Sequence, residues 1–120
     1  MMRFMCKCKI KGGKVSDKQL YYQGSITIDR KILEEADIYP GEMVYVLNVN
    51  SGARIATYVI EGEPGSGAIC LNGPSARFFE IGDDLIVLSI AMMDSAEART
   101  SMLKIVELSG GNTICVAGKL

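Results

Sequence analysis

Histidine is missing altogether from this 120-residue chain. Its absence removes Ser-His-Asp and Cys-His hydrolases, histidine-bearing zinc sites and histidine general bases, which all need an imidazole nitrogen to carry a proton or a metal. Chemistry here must come from Lys, Arg, Tyr, Ser, Thr, Cys or a carboxylate, or from a cofactor. Neither sign of charge is in excess: thirteen basic residues face fourteen acidic ones, for a formal net charge of −1. Nucleic-acid affinity rests on clustered Lys and Arg that release counterions, so a general nucleic-acid binder is not expected. Long apolar runs are lacking too. The longest, residues 85–93, is interrupted by Ser89 and falls short of the roughly 20 residues that cross a bilayer. Residues 1–9 hold no sustained apolar stretch and no small-residue cleavage site. The expectation is therefore no signal peptide, no membrane span and a cytoplasmic protein.

Four cysteines are present, Cys6, Cys8, Cys70 and Cys115; in a reducing compartment they are expected as free thiols. Cys6 and Cys8 alternate with Lys7 and Lys9, so on a strand both sulfurs would share a face. No second ligand pair follows at a metal-binding spacing, so two small core-facing side chains are expected rather than half a metal site.

The rest of the composition is that of a folded domain, 48% hydrophobic and 22% charged, and the length suits one domain over residues 1–120. Strand signals are short and dense. Residues 3–10 read as a first strand broken by Gly12-Gly13, with a further extended piece at 14–20. Ser25-Ile26-Thr27-Ile28 alternates, and Asp29 is placed to cap a helix over 30–36 whose Ile32, Leu33 and Ala36 face inward. Residues 42–49 and 54–60 read as a hairpin around Asn50-Ser51-Gly52. Turn signals at 64–67 precede a strand at 68–72, a helical turn at 74–78 and a strand at 85–92. Asp94 caps a short helix at 95–99, residues 102–108 form a late strand, and the tail from about 110 is a candidate for disorder. Many short strands with few helical turns predict a small closed β-barrel, because closure removes exposed edges.

Gly24-Ser25 opens the alternating run Ile26-Thr27-Ile28. A serine hydroxyl can attack the carbonyl of the residue before it, turning an amide into an ester. Glycine at that preceding position relieves the backbone of a Cβ. Elimination from the ester leaves dehydroalanine, which tautomerises and hydrolyses to a pyruvoyl ketone. None of these steps needs histidine.

In order along the chain, Tyr22-x-Gly24-Ser25, Ile28-Asp29, Arg54-x-x-Thr57-Tyr58, Asn72-Gly73, Gly82-Asp83 and Glu97-Ala98-Arg99-Thr100 resemble the aspartate 1-decarboxylase family. The likeness covers roughly residues 1–108. It implies a mainly β fold, a six-stranded double-psi β-barrel with short helices, assembled as a homotetramer with active sites between subunits. It implies decarboxylation of L-aspartate to β-alanine and CO2, in the supply of precursor for pantothenate and coenzyme A. Cleavage between Gly24 and Ser25 would give a β-chain of residues 1–24 and an α-chain of residues 25–120. Ser25 would become the covalent pyruvoyl cofactor that forms a Schiff base with the substrate amine and serves as an electron sink. Thr57 would stabilise the oxyanion of processing, an interaction of the kind worth about 3 kcal/mol. Tyr58 would donate the proton to the substrate carbanion. Arg54, with Lys9, would hold the substrate carboxylates, and Asn72, Gly73, Pro74, Ser75 and Ala76 would line the pocket, with Lys11 near it. Some relatives of this kind need a maturation factor.

Four positions depart from the family pattern. Lys11 stands where histidine is frequent, Pro74 and Ser75 replace alanines, and Gln23 replaces a glutamate. Lys11 cannot switch charge near neutrality, and Pro74 lacks a backbone N–H; substrate choice and processing rate are what these changes touch. Each site residue also has a plainer reading: Ser25 as a turn residue, Tyr58 as a rim aromatic, Arg54 and Lys9 as solvated charges, Thr57 as a β-former, Asn72-Gly73 as a turn pair. Two rival readings of the whole chain remain. Residues 24–29, a short helix, Gly41, Val44, Val46 and Gly52 also resemble swapped-hairpin DNA-binding regulators. An unprocessed, inactive paralogue is the other.

Overall fold

The structure, a computed structural model, describes residues 1–119. Nine strands and two α-helices follow one another along the chain. The strands are β1 (Met2–Lys14), β2 (Asp17–Gln19), β3 (Ser25–Asp29), β4 (Met43–Asn48), β5 (Arg54–Gly62), β6 (Ile69–Asn72), β7 (Asp84–Asp94), β8 (Lys104–Ser109) and β9 (Thr113–Lys119). The helices are α1 (Arg30–Ala36) and α2 (Ser95–Thr100), and a 3-10 helix spans Gly73–Phe78.

All nine strands join one sheet in the order β2-β6-β3-β5-β4-β7-β1-β8-β9. Only Val15 and Ser16 separate β1 from β2 in the chain, yet those strands stand seventh and first in that order. The sheet must therefore wrap round, and the Ser16 N–H closes onto the Ile69 carbonyl at 2.9 Å. Inside the wrap, alternate residues meet: Cys8 and Ile10 of β1, Ile26 and Ile28 of β3, Val44 and Val46 of β4, Leu85 and Val87 of β7. Full burial of such a side chain is worth about 1.5–3 kcal/mol. Helix α1 adds Ile32, Leu33 and Ala36, as its sequence spacing predicts.

The mainly β class with short helices agrees with expectation, and the described residues form nine strands, three more than the expected barrel alone would have. Part of the difference is the tail. Expected as a candidate for disorder, it forms β9 instead, paired antiparallel with β8 from Thr113 to Lys119. Asn112 makes this possible. In a left-handed turn conformation (φ 57), its side chain donates to the Lys14 and Gly67 carbonyls at 2.9 and 2.8 Å and accepts from the Lys14 N–H at 2.8 Å.

Gly12-Gly13 does not end the first strand. The register shifts between Ile10 and Gly13, and Gly12, at φ +77, lies so close to the Leu108 carbonyl that a Cβ would come within 2.4 Å of it. The glycines carry β1 through a bulge, which needs backbone freedom but keeps the pairing. A second shift falls between Cys6 and Cys8. It breaks strict alternation, so Cys8 is buried in the core while Cys6 is only half-buried.

Candidate active site

Antiparallel pairing of β3 with β6 sets Ser25 opposite Asn72 and Thr27 opposite Cys70. Side chains two apart on a strand share a face, so the four form a two-by-two polar patch. Ser25 is wholly buried and Asn72 nearly so. Buried polar groups need partners, and these have them. The Ser25 hydroxyl donates to the Gln23 carbonyl at 3.0 Å and accepts from Asn72 Nδ2 at 2.9 Å. The same Asn72 NH2 reaches Thr27 Oγ1 at 2.9 Å, and Asn72 Oδ1 accepts from the Cys70 thiol at 3.2 Å. A hydroxyl oxygen has two lone pairs. One meets Asn72; the other is left for attack.

Gly73 explains how the segment before Ser25 is held. At φ +66, a Cβ there would stand 2.7 Å from the Tyr22 carbonyl oxygen and 2.8 Å from the Gly24 nitrogen and Cα. Residues 22–24 lie directly on its backbone, which leaves room only for glycine. The conformational demand placed on Gly24 by sequence reasoning falls across the sheet at Gly73 instead. Gly24 is outside the left-handed region, and a Cβ on it would meet only Pro74 Cδ, at an ordinary 3.5 Å. Pro74 itself lies in the first turn of the 3-10 helix, where a missing N–H removes no helical bond. Ala76 packs into the core and Ser75 is half-buried.

The other flank is β5. Its parallel register with β3 sets Ile26 beside Val59; one step back, Tyr58 comes level with Ser25 and Thr57 with Gly24. Thr57 is buried, and the Tyr58 hydroxyl donates to Gln23 Oε1 at 3.4 Å. Ser25, Gly24, Asn72, Gly73, Pro74, Thr57 and Tyr58 thus converge. Among the described residues no hydrogen bond or ion pair ties Arg54, Lys9 or Lys11 to them. Arg54 begins β5, four residues from Tyr58, or about 13 Å along the strand. Lys9 lies on β1, beyond β4 and β7 from β5, about 14 Å across the sheet. Among the described residues neither Lys9 nor Arg54 is in an ion pair, whereas Lys11 meets Glu107 at 3.7 Å.

Titration fits the geometry. Burial raises the Cys70 thiol, with Asp17 adding to it, and pushes Cys8 up to about 11; both keep their protons at neutrality. Burial would also raise Asp29. Backbone N–H groups of Gly67, Lys31 and Gly65, at 2.8, 2.8 and 3.1 Å, outweigh it and hold the carboxyl below its usual range. This carboxylate caps α1 and pins the turn that leads into β6. Among the described residues no three Cys, Asp or Glu side chains gather as a metal site.

Outside this patch, Phe4, Met43, Tyr45, Ala56, Ile90 and Met92 line an open apolar groove of about 360 Å³. Phe4 is 79% exposed and Met92 60%. The groove adjoins the site: Ala56 and Tyr58 share the outer face of β5, and Met43 pairs directly with Tyr58.

Sequence reasoning missed Thr27 and Cys70, and marked Gln23 only as a departure from the family pattern. Period-two alternation around Ser25 and Asn72 marks Thr27 and Cys70 once the two runs are known to pair, and that pairing is the missing step.

The comparisons with known proteins give the chain a family. The family model described as Aspartate decarboxylase matches residues 1–115. A protein named Aspartate 1-decarboxylase from Thermoanaerobacter pseudethanolicus is 52% identical over 112 residues, covering 93% of this chain and 96% of the relative. Those of the same name from Listeria innocua and Pelotomaculum thermopropionicum are 51% and 50% identical over 114 residues, covering 95% of this chain and 90% and 86% of the relatives. The match takes in every residue that converges on Ser25, and the chain belongs to the aspartate decarboxylase family.

Proposed function

We propose that this chain is a pyruvoyl-dependent lyase that converts L-aspartate to β-alanine and CO2, made active by its own cleavage between Gly24 and Ser25. One observation carries the reading: the Ser25 hydroxyl is buried, hydrogen-bonded to Gln23 and Asn72, and follows directly on Gly24. The residues fit the group to be formed. Ser25 Oγ keeps a free lone pair beside the Gly24 carbonyl, and the strain-tolerant Gly73 gives the segment its close seat.

In the first step the Oγ–C bond to Gly24 forms, the C–N bond to Ser25 breaks, and the hydroxyl proton ends on the Ser25 nitrogen. Thr57, level with Gly24, is the donor for the carbonyl oxygen as it gains charge. Loss of the Ser25 Cα proton then breaks Cβ–Oγ and releases Gly24 as a carboxylate. Water replaces the nitrogen, which departs as ammonia, and a ketone remains. That pyruvoyl group supplies an electrophile for an amine and a sink for the electrons left by CO2. The chain's own residues then bind and protonate: Tyr58 delivers the proton, while Arg54 and Lys9 neutralise carboxylates. Lys11 is offset by Glu107 and leaves the substrate's charges to those two.

Among the described residues no hydrogen bond or ion pair ties Arg54 or Lys9 to the residues around Ser25, and the apolar groove runs up to Tyr58. Both support a homo-oligomer, read as a tetramer, in which a second copy seats on the groove and completes the site. The reading extends to a cytoplasmic enzyme that supplies β-alanine for pantothenate. No helix among the described residues is long and apolar enough to cross a membrane.

Intact-mass analysis of purified protein tests the proposal. Expected are fragments 1–24 and 25–120, the larger with a blocked amino terminus. A folded chain that stays whole through prolonged warming, even with extract of its source cell, overturns it and leaves the inactive-paralogue reading.

A further inference from the structure

We propose that Cys70 and Thr27 are positioning residues for the cleavage: together they hold the Asn72 amide so that its NH2, not its oxygen, faces Ser25. The inference rests on the cleavage reading above.

An asparagine amide keeps nearly the same shape when turned over about its last bond, so its neighbours must choose the orientation. Here Cys70 makes the choice, since the hydroxyls of Thr27 and Ser25 can serve an amide in either orientation, and those two hold the amide once it is made. Cys70 Sγ stands 3.2 Å from Asn72 Oδ1, and Thr27 Oγ1 and Ser25 Oγ each stand 2.9 Å from Nδ2. Turned over, the NH2 would face the Cys70 sulfur, a weak acceptor. A buried donor without a good acceptor is costly, whereas the protonated thiol is a donor suited to Oδ1. Thr27 takes the second N–H, so neither hydrogen of the amide is left over.

The orientation matters for the reaction. With Asn72 donating, the Ser25 proton is directed to the Gln23 carbonyl, and an N–H faces the oxygen where negative charge gathers as that proton leaves. Turned over, Asn72 Oδ1 would claim the Ser25 proton and repel the developing charge. The first orientation favours formation of the Oγ–C bond and later departure of Oγ with Gly24; the second opposes both. Neither Cys70 nor Thr27 touches the bond that breaks.

The test is a time course of cleavage by intact mass on the full chain, comparing wild type, Cys70→Val, Cys70→Ser and Thr27→Val, with a thermal melt of each. Valine fills the space without donating or accepting; serine restores a donor. Cys70→Val is expected to slow cleavage about tenfold, and Thr27→Val about threefold, the range set by one net hydrogen bond. Cys70→Ser should stay within about threefold of wild type, although its melt need not differ from that of Cys70→Val. A Cys70→Val chain that cleaves at the wild-type rate overturns the inference. So does a Cys70→Ser chain as slow as Cys70→Val. Should Cys70→Val fail to fold, the half-exposed Thr27→Val decides, and an unchanged rate there counts against the proposal. Wild type that never cleaves sinks the reading beneath it instead.

Discussion

Two regions of this protein invert the ordinary distribution of polar and apolar groups, and they do so in opposite directions. Where β3 meets β6, Ser25 and Asn72 are buried. Across the surface of β4, β7 and β1, Phe4, Met43, Tyr45 and Met92 are exposed. Folded proteins tolerate scattered exposed apolar side chains, so the informative cases are buried polar groups and contiguous apolar patches. The first region spends polar groups where water is excluded, which suits a reaction that develops charge on one oxygen. The second leaves apolar area uncovered, which suits a surface that another copy completes. Tyr58 borders both, through Gln23 on one side and Met43 on the other.

The largest effect should come from the buried side. Ser25→Ala should abolish cleavage and turnover outright while far-UV circular dichroism stays that of the native chain; fragments in that variant would refute the nucleophile. Next comes Tyr58→Phe. It should still yield both fragments but lose turnover by about 10²–10⁴-fold, and a normal rate would remove Tyr58 as proton donor. On the exposed side, Met92→Lys should weaken self-association by about 30-fold, the loss of one interface anchor, read by sedimentation. An unaltered assembly would mean that the groove is no interface.

Asp29 separates the two kinds of burial, being enclosed and polar without a chemical task. Asp29→Asn should cost about 1–3 kcal/mol of stability, because one amide oxygen cannot accept from the N–H groups that two carboxylate oxygens serve, and should leave the cleavage rate unchanged. Its folded pKa is depressed, so its contribution is present above the unfolded value near 4 and is lost as pH falls through the folded one. Acid melts of wild type and Asp29→Asn should therefore begin to converge as pH falls below about 4 and meet only once it is below the depressed folded value. Divergence that persists there would sink the assignment.

How far these residues were legible in advance depended on distance along the chain. Helix α1 was readable from Asp29 and the inward Ile32, Leu33 and Ala36, because a cap and a helical period are local. The hairpin of β4 and β5 was readable from Asn50-Ser51-Gly52 for the same reason. Ser25 stood out through its glycine and the family resemblance. Thr27 and Cys70 did not, since their meaning arises only when β3 pairs with a strand more than 40 residues away. Gly12-Gly13 misled because a bulge and a break call for the same residue. Asn112 misled because its three bonds go to Lys14 and Gly67, which no local pattern shows. The resemblance named Lys9 and Arg54, but among the described residues no hydrogen bond or ion pair ties them to those around Ser25.

The short span Val15-Ser16 has a consequence beyond holding the sheet in a wrap. Residues 1–24 contain the central β1, flanked by β7 and β8, and place Cys8, Ile10 and Val15 in the core. Scission after Gly24, as proposed, would therefore leave an amino-terminal peptide knitted through the body of the molecule with no covalent tie to it. Folding, a one-chain event before the cut, becomes an encounter between two strangers afterwards. Protein melted after maturation should recover poorly and in proportion to its concentration, while uncut Ser25→Ala recovers on its own; the ripe molecule is a structure that can be made once.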